Sequence, residues 1–175
     1  MIYQILVLVI LILINAYFAA SEIAFISLND AKVEKMAKAG DKKYKQILKM
    51  LQNPSKFLAT IQIGITLAGF LSSAFASETF ADHLAPILNQ TFPALSISVW
   101  KSISIVLITL ILSYFTLVFG ELVPKRLAMK HYEKISYHTI GVIRVLSFLT
   151  APFVKLLTFS TTIVSKLFGV TEEDE

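Results

Sequence analysis

The chain has 175 residues, 55% of them hydrophobic and 16% charged, with a mean hydropathy of +0.70 and a net charge of +4. A soluble domain of this length carries about 25% charged residues, so the composition points to a bilayer as solvent. Cysteine is absent, which excludes a disulfide framework and a thiolate metal centre. The three histidines, His83, His131 and His138, are too scattered to suggest a soft-metal site.

In chain order, residues 3–28 form the first predicted span, with one acidic residue and no basic one. About 20 apolar residues cross the hydrocarbon core. Met1–Gln4 lacks the basic start of a signal peptide, so the segment reads as a retained helix. Residues 30–52 follow, and eight lysines lie between Lys32 and Lys56. Tyr44, Ile47, Leu48 and Leu51 recur there at helical spacing opposite the lysines, the pattern of an amphipathic helix lying on anionic headgroups. A polybasic nucleic-acid surface would call for interleaved aromatics, which are lacking, so no nucleic-acid partner is expected.

The second span is predicted over 54–77, where Asn53-Pro54 has the form of a cap followed by proline at the first helical position. The third covers 97–123. The loop between them, 78–96, has no Lys or Arg, whereas Lys125, Arg126, Lys130 and Lys134 follow the third. The positive-inside rule then places the N-terminus outside, 30–53 inside, 78–96 outside and 124 onward inside. Over 135–169, Arg144, Lys155 and Lys166 recur every eleven residues, a drift of about 20° around a helix. Laid in the cytoplasmic interface this basic stripe costs little; buried in a fourth span each charge would cost about 2.5–3.5 kcal/mol. Pro152 divides the segment into two helices. The expected fold is an all-α integral membrane protein with three transmembrane helices and cytoplasmic juxtamembrane amphipathic helices.

Polar residues recur within the spans: Asn15, Ser21 and Glu22 in the first; Gln62, Thr66, Gly69, Ser73 and Ser77 in the second; Ser102, Thr109, Ser113, Thr116 and Gly120 in the third. Most suit helix packing, where small and hydroxyl residues let backbones approach. Gly69-x-x-x-Ser73 is a candidate close-packing site, within the protomer or across a dimer. Glu22 and Glu121 differ, because intramembrane acids are functional candidates by default. Pro124 removes the donor to the carbonyl of Gly120, so the turn there can direct oxygens at a cation. An all-oxygen set suits a hard cation such as Mg²⁺, Ca²⁺ or Na⁺. A salt bridge from Glu121 to Lys125 or Arg126 is the competing reading. No phosphate-binding glycine loop, Ser/His/Asp set or His-rich motif is present, so the chain is not expected to be an enzyme.

NAYFAASEIAFISLN, NPSKFLATIQIGITLAGFLSSAFA and FGELVPKRLA together resemble the transmembrane domain of the CNNM/CorC magnesium transporters over essentially the whole chain. The resemblance implies three spans with the N-terminus outside, a juxtamembrane helical belt, homodimers in the plasma membrane, and Mg²⁺ export coupled in several members to Na⁺ entry. On this reading residues 1–170 are the membrane domain, and 171–175 begin a linker to a cytoplasmic CBS pair that binds Mg²⁺-ATP. The family's serine and glutamate ligands match Ser21 and Glu121. Its second-span G-N-x-L-x-N reads Gly64-Ile65-Thr66-Leu67-Ala68-Gly69 here, and a serine two before Ser21 is Ala19. The candidate ion ligands are therefore Ser21, Glu22, Thr66, Thr116, Gly120 and Glu121, with Asn15, Gln62 and Pro124 as auxiliaries. Polyamine export by the same fold, or a non-transporting anchor for cytoplasmic modules, are the alternatives.

Overall fold

The structure, a computed structural model, describes residues 2–168, and all its regular elements are helical. In order they are α1 (Ile2–Ile26), α2 (Asp30–Lys38), α3 (Lys42–Leu51), α4 (Pro54–Thr91), α5 (Ile97–Leu117), a π turn (Val118–Leu122), α6 (Val123–Leu149) and α7 (Ala151–Leu167). Among the described residues three helices are long and apolar enough to cross a membrane: Ile2–Ile26, Pro54–Thr91 and the run Ile97–Leu149. The chain is thus an all-α membrane protein. At 17 residues, α7 is shorter than the roughly 20 needed to span. The predicted linker at 171–175 lies outside the described residues.

Several boundaries differ from the sequence expectation. Predicted to end at 77, α4 runs on to Thr91 and absorbs most of the presumed loop, with Pro86 inside it. The 30–52 helix is two helices: Gly40 adopts φ +100°, a conformation side chains rarely tolerate, and Asp41 restarts the chain by capping Lys43 and Tyr44 N–H. Asn29 caps α2 in the same way through Lys32 N–H. The break before α7 falls at Thr150, with Pro152 in the first helical turn rather than at the division. Arg144 therefore sits on a different helix from Lys155 and Lys166, so the eleven-residue stripe is not continuous. A further kink lies at His131, whose φ/ψ of −126°/29° is non-helical.

Two compact units are present. The first comprises the chain up to Leu28 together with Gln62–Ile135. Its interior is rich in small side chains, Ala19, Ala24, Ala68, Ala76, Ala81, Ala85 and Ala128, which let helix backbones approach closely around the buried Phe25. Its outer surface is apolar, with Leu6, Leu13, Leu110, Ile111 and Tyr114 exposed, as expected where lipid is the solvent. Ser77 and Thr109 hydrogen-bond at 2.9 Å between α4 and α5. Trp100 Nε1 donates to the Phe92 carbonyl at 3.0 Å, and Lys101 pairs with Asp82 at 2.7 Å, closing that hairpin. The crowded glycine of α4 is Gly64, where a Cβ would lie 2.8 Å from the Phe18 ring. Gly69 has open space beside it, so the proposed Gly69-x-x-x-Ser73 packing does not occur within the chain.

The second unit comprises Asn29–Ile61 and the chain from Ser136. Its core is conventional, with Val33, Ile47, Phe57, Ile61, Ile140, Ile143 and Val154 buried. Tyr137 fixes α6 to the start of α3. Lys43 Nζ lies 4.4 Å from its ring centre and donates to its carbonyl at 3.0 Å, while the Tyr137 hydroxyl donates to Asp41 at 3.5 Å.

Candidate functional site

Pro124 cannot donate the N–H that an α-helix would aim at the carbonyl of Gly120. The chain responds with five residues of π-helix, Val118–Leu122, and the Gly120 carbonyl finds a donor on another helix. Asn15 Nδ2 of α1 donates to Gly120 O at 3.3 Å, across 105 residues of sequence. Asn15 is 1% exposed and Gly120 is also buried. The approach is close: a Cβ at position 120 would stand 3.0 Å from Asn15 Nδ2, so the amide would have to give by a few tenths of an ångström, and in ordinary contact at 3.5 Å from the Thr116 methyl. Asn15 Oδ1 is buried too and has no hydrogen-bond partner. A buried amide oxygen normally has one, so an acceptor is left facing inward beside the π turn.

The other predicted residues are placed as follows. Ser21 is fully buried and donates to the Tyr17 carbonyl at 2.7 Å within its own helix, which leaves the hydroxyl oxygen free to accept. Glu22 faces Lys125, with Nζ 2.9 Å from Oε2 and side chains 21% and 30% exposed. The oxygen lies off a good hydrogen-bonding line, so this is a charge contact more than a directed bond. The sequence suggested Lys125 as a partner for Glu121; the fold gives it to Glu22. Glu121 is half-buried within the π turn itself. Thr116 lines the close approach at Gly120. Gln62 Nε2 donates to Thr66 Oγ1 at 3.4 Å on the surface of α4, so these two are occupied with each other. Pro124 acts through the missing donor.

Asn15 was visible in the sequence as an auxiliary, and the structure gives it the central contact. Ser72 and Ser104, 2% and 0% exposed and without hydrogen-bond partners, were not singled out at all. Buried serines in apolar helices carry no periodic signal distinguishing them from packing residues. Among the described residues no three of His, Cys, Asp and Glu converge as a metal cluster. A cation here would be held by amide, hydroxyl and backbone oxygens with single carboxylates, not by a carboxylate cage.

This arrangement accompanies a family match over residues 6–175, to the cyclin M transmembrane N-terminal domain, CNNM. The chain belongs to the CNNM family. It is 40% identical over 165 residues to UPF0053 protein sll0260 of Synechocystis sp., covering 94% of this chain and 36% of that protein. The polyamine export protein of Haemophilus influenzae is 26% identical over 181 residues, 98% of this chain and 41% of the relative. UPF0053 inner membrane protein YfjD of Escherichia coli is 27% identical over 157 residues, 90% and 33% respectively. The CNNM chain thus spans between a third and about two fifths of the length of these relatives.

Proposed function

We propose that this CNNM membrane domain exports Mg²⁺ from the cytoplasm, with Na⁺ entering in exchange, as part of a homodimer in the plasma membrane. The observation that carries this reading is the π turn, whose Gly120 backbone is held by Asn15 while Asn15 Oδ1 stays buried and unpartnered. Irregular backbone at membrane depth is tolerated where it lines a cavity or is buried in protein, and here it sits next to Glu121. Ser21, Thr116 and the backbone at Gly120 add neutral oxygens, and Mg²⁺ keeps several waters, so few protein ligands suffice. Mg²⁺ reaches the site from the inner side, where Glu121 attracts it. The Glu22–Lys125 pair lies in the same unit and lowers the local negative charge, which favours release over tight retention. Any Mg²⁺-ATP control belongs to the CBS modules of the whole protein.

A second reading is favoured by two observations: the relative named a polyamine export protein, and a Glu22 carboxylate already paired with a primary ammonium at 2.9 Å. A polyamine would present the same group. Calorimetry on the purified chain separates the two. Mg²⁺ export predicts saturable Mg²⁺ binding that weakens at least about tenfold in Glu121→Gln and is competed by Na⁺. Spermidine binding with no Mg²⁺ response would establish the second reading, and a Glu121→Gln variant that binds like wild type would overturn the assignment of this site.

A further inference from the structure

The second unit contains a groove of about 510 Å³ between α3, the start of α4 and the α6–α7 corner. Four cations line it, Lys45, Lys49, Lys56 and Arg144, and among the described residues no acidic one does. Among the described residues none of the four groove cations has a carboxylate partner. Four like charges around one groove repel one another, and an anion entering between them relieves this. The walls are not wholly polar. Phe57 is buried in the groove floor, and Phe148 lines it while 82% exposed. A phenylalanine left so open beside unpaired cations is a costly surface for a soluble anion to leave uncovered.

We propose that this groove is a binding site for an anionic phospholipid, its phosphate held by Lys49, Arg144 and their neighbours and its acyl chain laid along Phe148. Arg presents a planar fork to phosphate oxygens and Lys a point charge, the usual pair for such headgroups. An inorganic phosphate or a soluble phosphoester would use the cations and leave the phenylalanine bare. A neutral lipid would use the phenylalanine and leave the cations unpaired. Only an anionic amphiphile satisfies both walls. The residues come from segments separated by about ninety positions in the chain, so a lipid bound here joins α3 to the α6–α7 corner and stiffens the unit.

The test uses the full chain in dodecyl maltoside, titrated with dioleoyl phosphatidylglycerol, dioleoyl phosphatidylcholine or glycerol 3-phosphate, followed by thermal melting and by native mass spectrometry of retained lipid. Phosphatidylglycerol should be retained saturably and raise the melting temperature, with phosphatidylcholine and glycerol 3-phosphate giving little at the same concentration. Lys49→Gln with Arg144→Gln should weaken retention about fivefold per charge, roughly twenty-five-fold together, and Phe148→Ala should weaken the lipid without altering any response to free phosphate. Equal retention of the two lipids would overturn the proposal. So would a full response to glycerol 3-phosphate, which would make the groove a soluble-anion site. These two comparisons need only the wild-type chain, so a variant that fails to fold leaves the test intact.

Discussion

Asn15 bears more of the structure than its single side chain suggests. It donates to the Gly120 carbonyl that Pro124 cannot serve, so truncation removes that bond at a buried position. Asn15→Ala should destabilise the domain by about 1–3 kcal/mol, read as an earlier melting transition in detergent. Gly120→Ala should disturb the same contact from the other side, because the added methyl meets Asn15 Nδ2 at 3.0 Å. Glycines of α4 provide an internal control. Gly64→Ala drives a methyl into the Phe18 ring and should cost about 1–3 kcal/mol. Gly69→Ala, with open space around it, should gain up to about 1 kcal/mol from helix propensity. Melting curves of the two variants should therefore move in opposite directions. A double-mutant cycle on Glu22→Gln and Lys125→Gln should give a coupling of about 1 kcal/mol, at the upper end for ion pairs that keep contact with water. No coupling would mean that the pair does not persist in solution.

At the scale of elements, the π turn and the α2–α3 corner are two breaks with different causes. Gly40 makes its corner by adopting φ +100° with nothing near it, so Gly40→Ala is a purely conformational substitution. It should destabilise the second unit by about 1–2 kcal/mol without altering a contact, while Gly40→Asn should be milder. The π turn is made by a missing donor. Pro124→Ala restores the N–H, lets the backbone relax toward regular α-helix and competes with Asn15 for the Gly120 carbonyl. The expected result is unchanged or raised thermal stability with reduced cation binding in the calorimetric assay. Only the break at the π turn was legible: the irregularity at 118–124 follows from proline chemistry, whereas 30–52 reads as one helix and the corner at Gly40 emerges only in the structure. The extension of α4 to Thr91 was not legible. Its second half, ASETFADHLAPILNQT, contains charges and a proline, and its helix is held by contacts with α5 such as Lys101–Asp82.

For the whole molecule, the spread of Lys and Arg predicts which ends face the cytoplasm. Because the chain has no cysteine, single-cysteine labelling needs no background removal. Thr91→Cys should react with an impermeant maleimide from outside intact cells, and Lys45→Cys only after the membrane is opened. The reverse pattern would invert the topology on which the proposed inward-facing Mg²⁺ loading depends.

What the sequence alone determined were properties summed over short windows: three segments apolar enough to span, the amphipathic character of 30–52, the helix-breaking chemistry at Pro124, and membership of a family recognisable from GELVPK and its companion motifs. These depend on composition and on the 3.6-residue period, which act locally. The tertiary structure decided who meets whom. Asn15 reaches Gly120, Glu22 takes Lys125, Gly64 rather than Gly69 is crowded, and four cations surround one groove with an exposed phenylalanine. Each depends on the rotation and vertical register of helices far apart in the chain. Hydrophobic burial fixes a helix face only to within a broad stripe, and the last few degrees are set by close packing of small residues and by single hydrogen bonds that no periodicity records.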